Sequence, residues 1–208
     1  MQIGNKNLVT LTPEDRKRIE EGIQQKYSRV ARSSKGNFQY PTGDAGLKGL
    51  NYDTEILKKL PKDIFVSYCG VGNPFILGPI REGEAVLDIG CGAGVDTLIA
   101  AIMVGSKGRA AGIDSTPQML AAARENLEKT LLDNVTFQEA SAENLPFSGV
   151  TFDVVISNGV FNLIPDKLKA LKEIFRVLKP LGCFMTADQV LTVEPPEDTR
   201  SIVESWAK

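Results

Sequence analysis

Read as a pattern of apolar and polar positions, the chain divides into two unlike parts. Thr12 precedes Pro13, and Asp15 follows three residues after Thr12, the arrangement of a helix N-cap, a first-turn proline and a capping acid. Ile19, Ile23, Tyr27 and Val30 then recur at helical spacing, which predicts a helix ending between Arg32 and Gly36. Ser34 to Tyr52 is rich in glycine and reads as a loop. Asp53 is placed to cap a short helix, Thr54 to Leu60, which Pro61 stops. Phe65 to Pro79 is apolar and punctuated by glycine, so it is expected to pack over the domain that begins near Gly83.

From Gly83 the period of the pattern changes. Short apolar runs at Ala85–Ile89, Arg109–Asp114, Val135–Gln138, Phe152–Ser157 and Cys183–Asp188 predict five strands, the last entered through the turn Pro180-Leu181-Gly182. Helices are predicted between them. One runs over Val95–Val104. A second is capped by Thr116, opened by Pro117 and striped with Met119, Leu120, Ala123 and Leu127. A third is capped by Asp166 and striped with Leu168, Leu171, Ile174, Phe175 and Leu178, and a last helix is expected from Pro196 to the end. Strands alternating with helices imply right-handed crossovers and a doubly wound α/β fold with a mostly parallel sheet. The expected organisation is a helical cap over residues 1–82 and a ligand-binding domain over 83–208. Nothing after Asp188 supplies further strands, so the expectation is a sheet lacking its closing carboxyl-terminal strands, with an open edge that a second copy could cover as a homodimer.

Composition narrows the chemistry. The 24 Lys and Arg against 26 Asp and Glu leave a net charge of -2, which gives no bulk attraction to nucleic acid or to an anionic membrane. No apolar run approaches the roughly 20 residues of a membrane span. The opening Met1-Gln2-Ile3-Gly4-Asn5-Lys6 lacks the apolar stretch of a signal peptide, and three cysteines at unrelated positions form no disulfide framework, so a cytoplasmic location is expected. There is no histidine, which removes serine–histidine triads, histidine-ligated zinc and histidine general bases. No metal site is expected.

The candidate chemistry lies at Asp88-Ile89-Gly90-Cys91-Gly92-Ala93-Gly94, between a predicted strand and helix, where open α/β sheets bind ligands. A dinucleotide site wants G-x-G-x-x-G, but position 95 is valine. Asp88, before the turn, would repel a pyrophosphate and suit a cationic amino group. Asp114, 24 residues after Gly90 at the end of the next strand, stands where an acid reaches ribose hydroxyls. Ser115 follows it, and Met119 is placed to lie over an adenine or to pack in the core. Ala142 and Glu143 follow the third strand and can meet a base edge, while Asn158 ends the fourth; Glu143 and Asn158 read equally well as turn residues. Tyr68, Cys69, Asn73 and Asn162 are the polar candidates for an acceptor site, and Cys183 is expected to be buried in the sheet.

The combination of D-I-G-C-G-A-G, G-I-D, S-A-E-N-L-P-F, F-D-V-V-I-S-N and R-V-L-K-P-L-G over Gly83 to Asp188 resembles class I methyltransferases dependent on S-adenosylmethionine (SAM). The resemblance implies a Rossmann-like fold, SAM as cofactor and a small-molecule methyl acceptor. Leu50-Asn51-Tyr52-Asp53, Gly72-Asn73-Pro74 and the run from Ser157 to Lys167 are similar, more narrowly, to arsenite methyltransferases. That family holds arsenic with cysteines, two of which align with Val71 and Gly159 here, while a third usually lies just beyond Lys208. The resemblance therefore implies a methyltransferase whose acceptor is open. A SAM-binding or sensing module without turnover is the alternative, and a nicotinamide-dependent oxidoreductase a lesser one.

Overall fold

The computed structural model describes residues 11–190 and residue 192. Five strands form one sheet in the order β3-β2-β1-β4-β5, and every neighbouring pair is parallel. The strands are β1 (Ala85–Ile89), β2 (Arg109–Asp114), β3 (Val135–Glu139), β4 (Phe152–Asn158) and β5 (Leu178–Ala187). Helices α4 (Val95–Val104), α5 (Pro117–Glu128) and α6 (Lys167–Val177) make the crossovers. Strand order reverses direction beside β1, so the ends of β1 and β4 diverge into a crevice at the carboxyl edge of the sheet.

All five residues of β1 are buried, because both faces of the sheet are covered. On one face Val86, Val154, Ile156 and Met185 join α4 through Leu98, Ile99 and Val104. On the other, Leu87, Ile89, Val155 and Phe152 meet Ile174 and Val177 of α6. Each such fully buried side chain is worth about 1.5–3 kcal/mol of transfer free energy.

The amino-terminal part carries α1 (Pro13–Val30), α2 (Gly43–Gly49), α3 (Thr54–Leu57) and two 3-10 turns, Lys62–Ser67 and Pro74–Ile76. The predicted capping box is present: Thr12 Oγ1 accepts from Asp15 N–H, and Asp15 accepts from Thr12 N–H at 3.0 Å. This part is no separate body. Leu47, Tyr52, Leu57, Ile64, Phe65 and Tyr68 belong to the same apolar cluster as α4 and the sheet face beneath it.

Several expectations change. The glycine-rich stretch contains α2, a single helical segment whose Leu47 is completely buried, so tertiary burial overrides weak local propensity. The helix after Asp53 stops at Leu57. Thr116 makes no side-chain cap; its backbone N–H donates instead to Asp114 Oδ1 at 2.8 Å. In α6 the core face is Ala170, Ile174 and Val177, while Leu168, Leu171 and Phe175 are exposed. Leu178 opens β5, which therefore starts earlier than expected. Between its pairing with Phe152 and the pairing of Cys183 with Val154, β5 carries an irregular stretch in which Leu181 adopts φ 66°. Cys183 is exposed on this edge strand, not buried. The helix expected from Pro196 lies outside the described residues. Among the described residues no helix is long and apolar enough to cross a membrane.

Candidate functional site

The glycine loop leaves β1 and enters α4, and three glycines shape it. Gly90 (φ 69°) passes directly beneath Val160, whose Cγ2 occupies the place a Cβ would take. Gly94 (φ 84°) is the left-handed N-cap of α4, and a Cβ there would stand 2.7 Å from Phe137 Cζ. At Gly92 the nearest atom to a Cβ is Met119 Sδ at 3.9 Å, so the loop presents bare main chain there. The loop is held from several sides. Cys91 N–H donates to Ile113 O at 2.9 Å, Gly92 N–H to Asp114 Oδ2 at 2.9 Å, and Asn126 Nδ2 to Ala93 O at 3.0 Å.

Over this loop lies a cavity of about 450 Å³, within the range of ordinary small-ligand sites. Gly90, Gly92, Asp114, Ser115, Met119, Ala142, Glu143 and Asn158 line it from the sheet side, together with Cys69 of the amino-terminal part. The opposite wall is α1, through Glu20, Ile23, Gln24 and Tyr27. Its charged lining residues, Glu20, Asp114, Glu139 and Glu143, are all acids; among the described residues no lysine or arginine lines it. Burial pushes the Asp114 carboxyl up, against the opposing pull of backbone N–H donors from Thr116 and Gly92.

A second, smaller cavity of about 50 Å³ shares Cys69, Gly90, Gly92 and Asn158 with the first and is bounded by Asp88, Cys91, Asp96 and Tyr68. Asp88 is buried and accepts from Thr97 Oγ1 at 2.6 Å. Burial, then the neighbouring Asp96, hold the Asp88 carboxyl well above the usual carboxylate range. Asp96 is pushed up to about 6 by burial, partly offset by hydrogen bonds from Asn158 and Tyr52. The Cys91 thiol is also raised by burial and packs against the loop.

Asp96 belongs to a buried network that the sequence did not signal. Tyr52 OH donates to Asp96 Oδ1 at 2.8 Å, and Tyr68 OH donates to Tyr52 OH at 2.9 Å. Asn158 Nδ2 reaches Asp96 Oδ2 at 2.9 Å and Gly72 O at 2.8 Å, while Asn158 Oδ1 accepts from Val71 N–H at 2.9 Å and Gly72 N–H at 3.1 Å. The end of β4, the start of α4 and the 52–72 segment are thus stitched at one asparagine. The sequence offered Tyr68 and Asn158 as separate candidates but neither Tyr52 nor Asp96 as a partner, since spacing alone cannot bring the four together.

The remaining candidates separate. Cys69 faces both cavities, and burial pushes its thiol up to about 12. Tyr68 places its hydroxyl in the network. Asn73 caps the Pro74–Ile76 turn, accepting from Phe75 N–H at 3.0 Å, and lines a third cavity beside Ile99 and Met103, away from the glycine loop. Asn162 lies behind the cavity wall with a buried Oδ1 that has no partner, and its N–H donates to Asp188 Oδ2 at 3.3 Å. Glu143 lines the cavity but also accepts from Asp166 N–H at 2.9 Å, as a turn residue would. Val71 covers Gly159: a Cβ on Gly159 would stand 3.3 Å from Val71 Cγ1.

Comparison with known proteins agrees with this geometry. Residues 80–208 match a family model described as a methyltransferase domain. An arsenite methyltransferase of Halobacterium salinarum is 32% identical over 95% of this chain and 54% of its own length. The crystal structure of an arsenic(III) SAM methyltransferase from Chlamydomonas reinhardtii superposes with a TM-score of 0.53 at 34% identity, covering 72% of this chain and 50% of that one. A SAM-dependent methyltransferase from Aquifex aeolicus gives a TM-score of 0.53 at 26% identity over 77% of this chain and 85% of its own. The chain spans about half the length of the curated arsenite methyltransferases it matches. It belongs to the methyltransferase-domain family, as a SAM-dependent class I domain related to the arsenite methyltransferases.

Proposed function

We propose that the chain transfers a methyl group from SAM to a small-molecule acceptor, with the donor in the 450 Å³ cavity. The observation that carries this reading is the sign of the lining charge. SAM is cationic at its sulfonium and at its amino group, and an all-acidic lining suits it, whereas the pyrophosphate of a dinucleotide would meet no lysine or arginine among the lining residues. Gly90 and Gly92 admit the donor's amino-acid end to main chain, while Gly94, which lines neither cavity, turns the loop into α4. Asp114 takes the ribose hydroxyls on the lone pairs left by Gly92 and Thr116, with Ser115, Met119, Ala142 and Glu143 towards the base. Cys91 supports the loop from behind. Asp88 and Asp96, through the small cavity, favour the donor's ammonium, and Asn158 holds Asp96 in place.

SAM supplies an activated methyl group with its own leaving group, so the chain has to align and desolvate rather than deprotonate by histidine. The amino-terminal part, described over residues 11–82, acts as a cap that closes the cavity, and the domain that begins at residue 83 holds the donor. The acceptor enters beside Cys69, where Tyr68 and Asn158 form the wall; Asn73 and Asn162 line neither this cavity nor the smaller one and serve loop shape.

The test is calorimetry with SAM and with NAD, followed by an acceptor screen that detects S-adenosylhomocysteine. SAM binds and NAD does not; preference for NAD would end this reading. Replacing Asp114 with alanine weakens SAM binding at least tenfold, about 1.4 kcal/mol, because a charged hydrogen-bond acceptor is lost. An unchanged affinity removes the ribose assignment.

A second reading, a SAM-binding module without turnover, draws on the acceptor side. The resemblance to arsenite methyltransferases implies arsenic-binding cysteines at the positions of Val71 and Gly159, Val71 fills the space a Cβ on Gly159 would enter, and the Cys69 thiol is held neutral. Neither supplies the thiolates a soft metalloid requires. Tight SAM binding with no product from any acceptor would select this second reading.

A further inference from the structure

The roof of the donor cavity is tied down unequally at its two ends. At the carboxyl end of α1, Val30 is completely buried, Ser34 N–H and Oγ both donate to Val66 O at 3.1 and 2.9 Å, and Ser67 Oγ donates to Ala31 O at 2.8 Å. The serine bonds tie α1 to the 62–68 turn of the cap, and Val30 packs in one cluster with Ala93 and Met119 of the donor domain, so this end is held by buried or half-buried anchors. Midway, the ties to the donor domain are exposed: Ser28 Oγ to Gln118 Oε1 at 3.0 Å, and Gln24 Nε2 to Ser115 O at 3.5 Å. In the amino half one apolar side chain, Ile19, is buried. Beyond it, among the described residues, ion pairs of Arg16 tie the helix to the donor domain. Arg16 lies 3.6 Å from Glu143 Oε2 and 4.0 Å from Asp166 Oδ2, with its side chain 37% exposed.

Those two acids are not independent. Glu143 Oε1 accepts from Asp166 N–H, and Asp166 Oδ1 accepts from Lys169 N–H to cap α6. Arg16 therefore bridges α1 to the joined ends of the 141–143 loop and α6, at the margin of the cavity lined by Ala142, Glu143 and Pro165. Contacts of this kind are weak and screened by salt, whereas the anchors at the other end are not. A helix fixed at one end by buried packing and at the other by an exposed ion-pair junction is built to lift at the second.

We infer that α1 is a lid on the donor cavity, hinged near Ala31–Ser34, and that Arg16 is a positioning residue that latches it over Glu143 and Asp166. This rests on the donor site proposed above. The latch sets how quickly the donor and its demethylated product leave, acting on the base end of the cavity and not on methyl transfer itself.

The experiment measures dissociation rates of SAM and of 5′-deoxy-5′-methylthioadenosine, which lacks the amino-acid tail, from wild type, Arg16→Ala and Arg16→Lys at low and high salt. Arg16→Ala raises both off-rates about fivefold, the size expected when two exposed ion pairs are lost. Arg16→Lys restores part of the slow release. The wild-type off-rate of 5′-deoxy-5′-methylthioadenosine, which carries no charge for the acidic wall to hold, rises with salt and that of Arg16→Ala does not, while the SAM off-rate keeps a salt dependence in both, and the ligand-free proteins denature alike. A structural role without a latch would shift denaturation but not the salt dependence. A methylthioadenosine off-rate indifferent to salt in wild type overturns the lid even if Arg16→Ala fails to fold. Binding of neither probe by wild type would instead overturn the donor site, and the lid with it.

Discussion

The donor half and the amino-terminal half of this molecule are ordered by different means. In residues 83–190 each element carries its own local code: β1 is apolar throughout save for Asp88, Gly94 supplies the left-handed residue that starts α4, Pro117 opens α5, and Asp166 caps α6 by accepting from Lys169 N–H. In residues 11–82 α1 is the one long helix with such a code, and the caps at Asp53 and Asn73 start only a four-residue helix and a three-residue turn. The rest, from Gly43 to Ile76, consists of turns and helices of seven residues or fewer, and takes its order from what it touches. Leu47, Tyr52 and Phe65 are buried in a cluster whose other members are α4 and the sheet. A segment of that kind is stable only while docked, whereas the sheet needs no cap to define its topology.

The largest effect is expected where the donor half allows no substitution. Gly94→Ala places a Cβ at 2.7 Å from Phe137 Cζ and 3.1 Å from Ala123 Cβ, at φ 84°. Left-handed strain and the forced separation of α4 from α5 and β3 together cost about 3–5 kcal/mol, read as a lower denaturation midpoint with loss of SAM binding. A variant as stable as wild type would show that the glycine loop is not the rigid part of the comparison.

Asn158→Ala attacks the seam between the halves. It strands the N–H groups of Val71 and Gly72 and takes one donor each from the Gly72 carbonyl and the Asp96 carboxylate, which keep Tyr52 OH. The expected cost is about 2–3 kcal/mol. It should fall unequally: hydrogen exchange accelerates over residues 43–76, while β1 and β4 keep their protection. Equal loss in both halves would mean that they unfold as one unit and that the contrast between them is wrong.

The same contrast explains what the sequence disclosed. Strand positions, the glycine loop and Asp114 were legible because parallel strands buried on both faces and a left-handed helix start demand particular residues at fixed spacing. The α2 helix was not, since GDAGLKG is poor in helix formers and only the burial of Leu47 holds it. Nor was the α6 core face: its apolar residues outnumber its buried ones, and periodicity cannot tell which side a sheet covers. The Tyr52–Asp96–Asn158 network was hidden for a plainer reason. Its members lie 44 and 62 residues apart, and no local rule reports a hydrogen bond across such a distance.

The smallest effect expected is the one that tests how the seam is charged. An acid in an exposed loop titrates near 3.8, but Asp96 in the folded protein is pushed up to about 6. Between about pH 4 and 6 the folded state therefore holds a proton that the unfolded chain has released, so this group favours folding at low pH and that contribution is lost as pH rises. Its partners do not reverse the sign. Tyr52 and Asn158 donate to the carboxylate and pull the value down, yet burial outweighs them, and Asp88 beside it is an acid. Asp96→Asn cannot titrate. The stability difference between wild type and Asp96→Asn should fall as pH is raised from about 4 to 7, measured by denaturant titration at each pH. Saturating SAM should flatten that dependence, because the donor's ammonium favours the ionised acids. A difference that rises with pH would place Asp96 among ordinary salt-bridged carboxylates and leave the seam held by neutral hydrogen bonds alone. A difference that falls without SAM and persists in its presence would keep the buried charge but detach it from the donor, separating the role of Asp96 in docking the cap from its role in the site.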